Sequence, residues 1–189
     1  MIRTIFPAML LLAASPAMGQ TAASQTPAAL AAIPGVTVKW YDVAGTTPEQ
    51  IRKSKKAARP ASPDDPSQRF DVLSTWRIDT SWATESTAGA CRIVDAQAKF
   101  SAVVSLPRLA PTEGQDEKLR ADWAGFVDSL AVYEARFLGY AADHASDVSR
   151  TIAASSCAKV NAASSAGIAA VASDVAALRA KSRPVKGLF

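Results

Sequence analysis

From residue 70 to residue 82 the chain alternates. Phe70, Val72, Trp76, Ile78 and Trp82 take even positions, while Asp71, Thr75, Arg77, Asp79 and Ser81 take odd ones. A period of two over this length predicts a long, half-buried β-strand. Residues 83–90, ATESTAGA, are polar and read as a loop. Alternation resumes over 92–106, where Val94, Ala96, Ala98, Phe100, Ala102, Val104 and Leu106 share a face. Two alternating strands joined by a polar loop predict an antiparallel hairpin, ended here by Pro107 and Pro111. Upstream, VTVKWYDVA (36–44) is β-branched and aromatic, which suits a third strand. Thr47, Pro48 and Gln50 then form a helix-start signature, with a capping residue, a proline at the first position and a capping-box partner. The short helix stops at RPASPDDPS (59–67).

After about Gln115 the period changes. Trp123, Phe126, Leu130, Tyr133, Phe137, Tyr140, His144 and Val148 recur at steps of three and four, one stripe of a helix expected to reach about Ala154. Asp116 and Arg120 fit an i,i+4 ion pair in its first turn. A second helix, from about Ala158 to Lys181, shows Val160, Ser164, Ile168, Val171, Val175 and Leu178 on a face otherwise rich in alanine and serine. Together these elements predict a single α+β domain over 36–183. A small, mostly antiparallel sheet (a long hairpin plus the N-terminal strand) rests on the long helix, and a C-terminal helix follows. A chain of 189 residues has room for one such core.

The two ends read differently. Arg3, the apolar run 4–14 and the small-x-small site Ala17-Met18-Gly19 describe a secretory signal peptide over 1–19, cleaved near Gly19. Residues 20–35 are expected to be a flexible lead and 184–189 a tail. No stretch after the leader reads as a transmembrane segment, so the mature chain is expected in the periplasm or outside the cell. Two cysteines, Cys91 and Cys157, then predict one disulfide closing a loop of 66 residues.

The formal charge is +4, and one unit leaves with Arg3. So mild an excess argues against a nucleic-acid partner. Basic residues do cluster at Arg52, Lys53, Lys55, Lys56 and Arg59. They read as the solvated face of a short helix, or as a patch for an anionic component of the cell envelope.

The chain has one histidine, His144, and this restricts its chemistry. There is no G-x-S-x-G elbow and no glycine-rich phosphate loop. Three Cys and His residues in all are too few for a structural zinc finger. One segment has the spacing of a zinc-protease helix. In His-Glu-x-x-His, two imidazoles one turn apart hold zinc and the glutamate activates the metal-bound water. Here the five positions read Tyr133-Glu134-Ala135-Arg136-Phe137. Phenylalanine has no donor atom, and a phenol with a pKa of about 10 is a poor ligand at neutral pH.

WYDVAGTTPEQIRKS, RFDVLSTWRIDTSW, GACRIVDAQAKFSAVVSLPRLAP and LRADWAGFVDSLAVYEARFLGYA follow one another along the chain, with Cys157 about twenty residues beyond the last motif. In order and spacing they resemble a bacterial family of predicted secreted zinc-dependent proteases. The resemblance covers roughly residues 38–160. It implies a zincin-like long helix, with Tyr133 and Phe137 at the zinc-ligand positions and Glu134 at the general-base position. It implies zinc for the family, and the substituted ligands imply that none is bound here. His144 lies seven residues past Phe137, about 10 Å along the axis, and cannot restore the site. The expectation is a protease-like domain that has lost its metal and binds an unknown peptide, protein or anionic envelope component. The alternative is an active secreted metallopeptidase or other hydrolase using non-standard ligands such as Glu134 and Asp143. Those two carboxylates lie nine residues apart, about 13 Å on a straight helix.

Overall fold

The structure is a computed structural model that describes residues 25–183, 185 and 189. The expected signal peptide and residues 20–24 of the lead lie outside the described residues. Eight elements follow in order: α1 (Ala28–Ala31), β1 (Val36–Val43), α2 (Pro48–Ala58), β2 (Leu73–Thr87), β3 (Ala90–Leu109), α3 (Glu117–Asp143), α4 (Ala145–Ala153) and α5 (Val160–Lys181). The fold is α+β. A three-stranded sheet of order β1-β3-β2 packs against the helices.

The hairpin is longer than its pattern indicated. Most of the polar segment 83–90 is strand, and the chain reverses at Ala88-Gly89, whose φ values of 51° and 82° are both positive. That geometry matches the right-handed twist of a two-residue hairpin turn. Ser81 pairs with Gln97 and Ala83 with Val94, so Asp95 and Ala96 together oppose Trp82. This is a β-bulge, with Asp95 in the left-handed region at φ 51°. A bulge inverts the facing of everything beyond it. Ile93 is therefore buried at 7 % exposure, and Val94 leaves the face it was expected to share with Ala96. Phe70 also departs from the expected strand face. It lies ahead of β2 and is 41 % exposed.

β1 runs parallel to β3, from Val36 opposite Ala102 to Val43 opposite Leu109. Its entry needs a glycine. Gly35 has φ 84°, and a Cβ there would sit 2.5 Å from the Phe100 carbonyl oxygen. The preceding lead is not wholly flexible. Ala28–Ala31 forms one helical turn whose Leu30 is fully buried, and this turn packs on α3.

The expected long helix bends. α3 ends and α4 begins at His144, whose φ −90° and ψ 0° leave the helical region. The His144 ring stacks on Tyr140 at 4.0 Å, and its Nδ1 lies 3.1 Å from the Tyr140 carbonyl oxygen. His144 is thus a half-buried residue at the helix junction. The bend allows Val148 and Ile152 of α4 to reach the core beneath β3. At the other end of α3, Asp116 caps the helix by accepting from the Leu119 N–H at 2.6 Å. Arg120 therefore does not form the expected pair with Asp116. It donates to the Gln115 carbonyl oxygen at 2.6 Å.

α5 docks through three valines and one serine, with Val160, Ser164, Val171 and Val175 buried. By length and composition it passes for a membrane span, with 22 residues and a window of mean hydropathy 1.2. Here α5 lies against α3 and α4. Cys91, near the start of β3, is bonded to Cys157 in the α4–α5 connection.

Candidate functional site

Glu134 lies in the middle of α3 on a second buried stripe with Ala131, Leu138 and Ala141. Its residue exposure is 1 %. A carboxylate removed from water to this extent needs a cation and full hydrogen bonding. Arg179, in the last turn of α5, supplies both. Its Nη1 donates to Glu134 Oε1 at 3.0 Å and its Nη2 to Oε2 at 2.6 Å. This is a two-pronged guanidinium–carboxylate pair. The Ser74 hydroxyl, from β2, donates to the same Oε2 at 2.6 Å and accepts from Arg179 Nη2 at 2.9 Å. The guanidinium also lies over the Phe137 ring, 4.4 Å from its centroid. Tyr133 packs edge-on against Phe137 with centroids 4.9 Å apart.

The site is therefore assembled from three elements, and one strand carried its signal. On the helix-facing side of β2 two polar residues, Ser74 and Thr80, interrupt the apolar run. Both meet α5. Ser74 meets Arg179, and Thr80 meets the buried Ser164 at 2.9 Å. Six residues of strand span about 20 Å and fifteen of helix about 22 Å, so the two elements run side by side over both contacts.

Tyr133, Glu134 and Phe137 are neighbours on α3, with Tyr133 half-buried and Glu134 fully buried. Phe137 is 1 % exposed. An open groove lies elsewhere, between the ends of β1 and β3 and the start of α3, with Trp40, Pro107, Leu109, Trp123 and Val127 among its walls. Asp143 is exposed at the end of α3, apart from Glu134.

The residues do not fit the zinc that the resemblance implies. Phe137 offers no donor, and both Glu134 oxygens are engaged by Arg179. A dication about 4 Å from that guanidinium would meet ~8 kcal/mol of repulsion at an effective dielectric of about 20. Among the described residues, no three His, Cys, Asp or Glu side chains are grouped to hold an ion.

The basic cluster on α2 divides. Arg52, Lys53 and Lys56 lie on its exposed side. Lys55 does not, since only 2 % of the residue is exposed. Its Nζ donates to Asp71 Oδ2 at 2.9 Å and to the Phe189 backbone oxygen at 2.8 Å. Arg59 also turns to Asp71, with a side chain 30 % exposed. The expected five-residue patch is thus reduced to three exposed members, because Asp71 draws the other two inward. The expected tail is likewise not all free. Phe189 is 8 % exposed and packs on Trp123 and Phe126.

Tyr41 borders the same cluster and donates to the Asp71 carbonyl oxygen at 2.8 Å. Burial, and then the Asp71 charge, push its phenol well above the usual tyrosine range, with Arg59 opposing. A raised folded-state pKa favours the protonated form in the fold. The associated stability is fully present below the ordinary value of about 10 and is lost as pH rises above it. Tyr140, hydrogen-bonded to Asp174, is shifted the same way. The urea midpoint should therefore fall as pH rises above about 10, and less steeply in Tyr41→Phe. Equal slopes in both proteins would remove Tyr41 as a cause.

The fold and site define a small α+β domain built around the buried Glu134–Arg179 ion pair. Residues 38–182 match a family described as bacterial protein of unknown function (DUF922), and the chain belongs to that family. The matched span holds Ser74, Glu134, Arg179 and both cysteines. No curated protein and no solved structure matches the chain.

Proposed function

We propose that this chain is a non-catalytic, secreted member of its family. It keeps a zinc-protease-like arrangement and acts by binding a peptide, protein or envelope component. The observation that carries this reading is the commitment of Glu134 to Arg179 and Ser74. A general base needs a free lone pair within reach of a water or substrate. Here both oxygens face fixed donors within packed surroundings. Tyr133 and Phe137, at the zinc-ligand positions of the resemblance, pack against each other, and the guanidinium lies over Phe137. The disulfide supports an oxidising compartment, and the leader expected over 1–19 would direct the chain to the periplasm or the exterior.

Metal analysis of purified protein, combined with a casein assay, tests this reading. Expected are a zinc content far below one per chain and the same background turnover in wild type and Glu134→Gln. About one zinc per chain, lost together with activity on chelation, would overturn it in favour of the active hydrolase.

A further inference from the structure

We propose that the outer edge of β2 is an interface for a second copy of this chain, paired antiparallel about Ile78. The inference uses nothing at Glu134, so it is tested apart from the binding reading.

β2 is the last strand of the sheet and pairs with β3 alone. Among the described residues, no backbone group outside β3 bonds to Leu73–Thr87. A strand edge with unpaired N–H and C=O groups is a template for a further strand, and proteins shield such edges by shortness, lysine, proline or a covering segment. The opposite edge, β1, is eight residues long and carries Lys39. β2 has fifteen residues and neither proline nor lysine. The neighbouring helix leaves the edge clear. At about 100° per residue, the exposed positions of α5 that adjoin its β2-facing side are Ser165, Ala169, Ala172 and Ala176, all small and uncharged.

The order of side chains identifies the partner. A two-fold interface must be self-complementary. With Ile78 opposite Ile78 of the second copy, Arg77 opposes Asp79 of the second copy, and Asp79 opposes its Arg77. Residues opposed in this way have Cβ atoms about 5 Å apart. In a single copy the two side chains are 74 % and 59 % exposed, and their own contact at 2.8 Å stabilises little. Assembly would set four alternating charges around the axis. On the helix-facing side, Trp82 would oppose Ser74 of the second copy and lie diagonal to its Trp76. Both indoles are half-buried, and aromatic side chains reach across such a diagonal. The charges also fix the register. Moving the axis by one residue either way would set Arg77 against Arg77 or Asp79 against Asp79, and like charges directly opposed are unfavourable.

Sedimentation velocity on the full chain over a concentration series tests this. Wild type should dimerise with a Kd below about 0.1 mM. Asp79→Arg gives a copy with two positive charges beside the axis, and Arg77→Asp a copy with two negative ones. Each variant alone should associate at least about tenfold more weakly than wild type, because like charges then face each other across the strands. Mixed in equal amounts, the two should form a mixed dimer within about threefold of the wild-type affinity, since the opposed charges are again complementary. Both positions are exposed, and recovery in the mixture itself shows that the variants are folded. A wild type that stays monomeric to about 1 mM, variants that self-associate as wild type does, or a mixture no better than its components would overturn the proposal.

Discussion

Replacing Arg179 with methionine should lower the stability of the fold by about 3 kcal/mol, since it leaves a buried carboxylate without its cation. Glu134 has 2 % of its side chain exposed and cannot turn to water. Arg179 keeps 35 % of its own side chain exposed, which holds the expected cost to the lower part of the range for such pairs. For a domain of this size the melting temperature should fall by about 6–12 °C. Arg179→Lys should recover only part of the loss. A lysine supplies a point charge, but not the planar fork that engages both Glu134 oxygens and the Ser74 hydroxyl. Thermal and urea denaturation of the three proteins measure this. A methionine variant within about 0.5 kcal/mol of wild type would mean that the pair is replaceable by water, as at an ordinary surface site.

The second large effect concerns the disulfide. Exchange of Cys91 and Cys157 together for serine should cost about 2–4 kcal/mol, with a chain-entropy ceiling of roughly 4 kcal/mol for a loop of 66 residues. The loss should be uneven. Beyond the bulge at Asp95 the hairpin leaves the helices, and residues 83–92 are exposed throughout. Ile93 is the one buried side chain in that outer part. The tether at Cys91 is therefore the main covalent hold on a ribbon with little apolar contact of its own. Hydrogen exchange should quicken most over 83–93 in the serine pair, while α3 and the sheet centre keep their protection. Uniform loss across the domain, or an unchanged urea midpoint, would assign the bridge a different role.

These effects show which layers of the molecule were legible in the sequence. The hairpin, the stripe of α3 and the helix-start signature at Thr47 follow from short-range periodicity and capping, which a chain displays locally. The bulge was hidden because the letters alternate through Asp95 without a break, and only its positive φ inverts the pattern. The break at His144 was hidden for a similar reason. Tyr140, His144 and Val148 keep the four-residue step across it. Lys55 looked like one more basic residue in a run, since its partners lie 16 and 134 residues away. Buried charge is decided by such distant partners, and composition does not record them.

At the site, the segment Tyr133–Phe137 identified where to look but not what held it. Arg179 sits near the end of a helix that reads as alanine-rich filler. The usable signal was indirect: Ser74, a polar gap on an apolar strand face, marks a place where something polar must arrive. Read with Thr80, it would have placed α5 along β2 and left Arg179 as the cation within reach of Glu134.

The central claim is that Glu134 serves the fold as the partner of Arg179. A double-mutant cycle tests it most directly, with urea denaturation of wild type, Glu134→Gln, Arg179→Met and the double variant. Residues joined in one buried network couple by roughly 0.5–3 kcal/mol, and a bidentate pair sharing Ser74 belongs in the upper half of that range. The expected result is therefore a coupling of about 2 kcal/mol, with the double variant much less unstable than the sum of the two single ones. Losses that add to within about 0.3 kcal/mol would contradict the claim and return Glu134 to the position of a carboxylate free for other work.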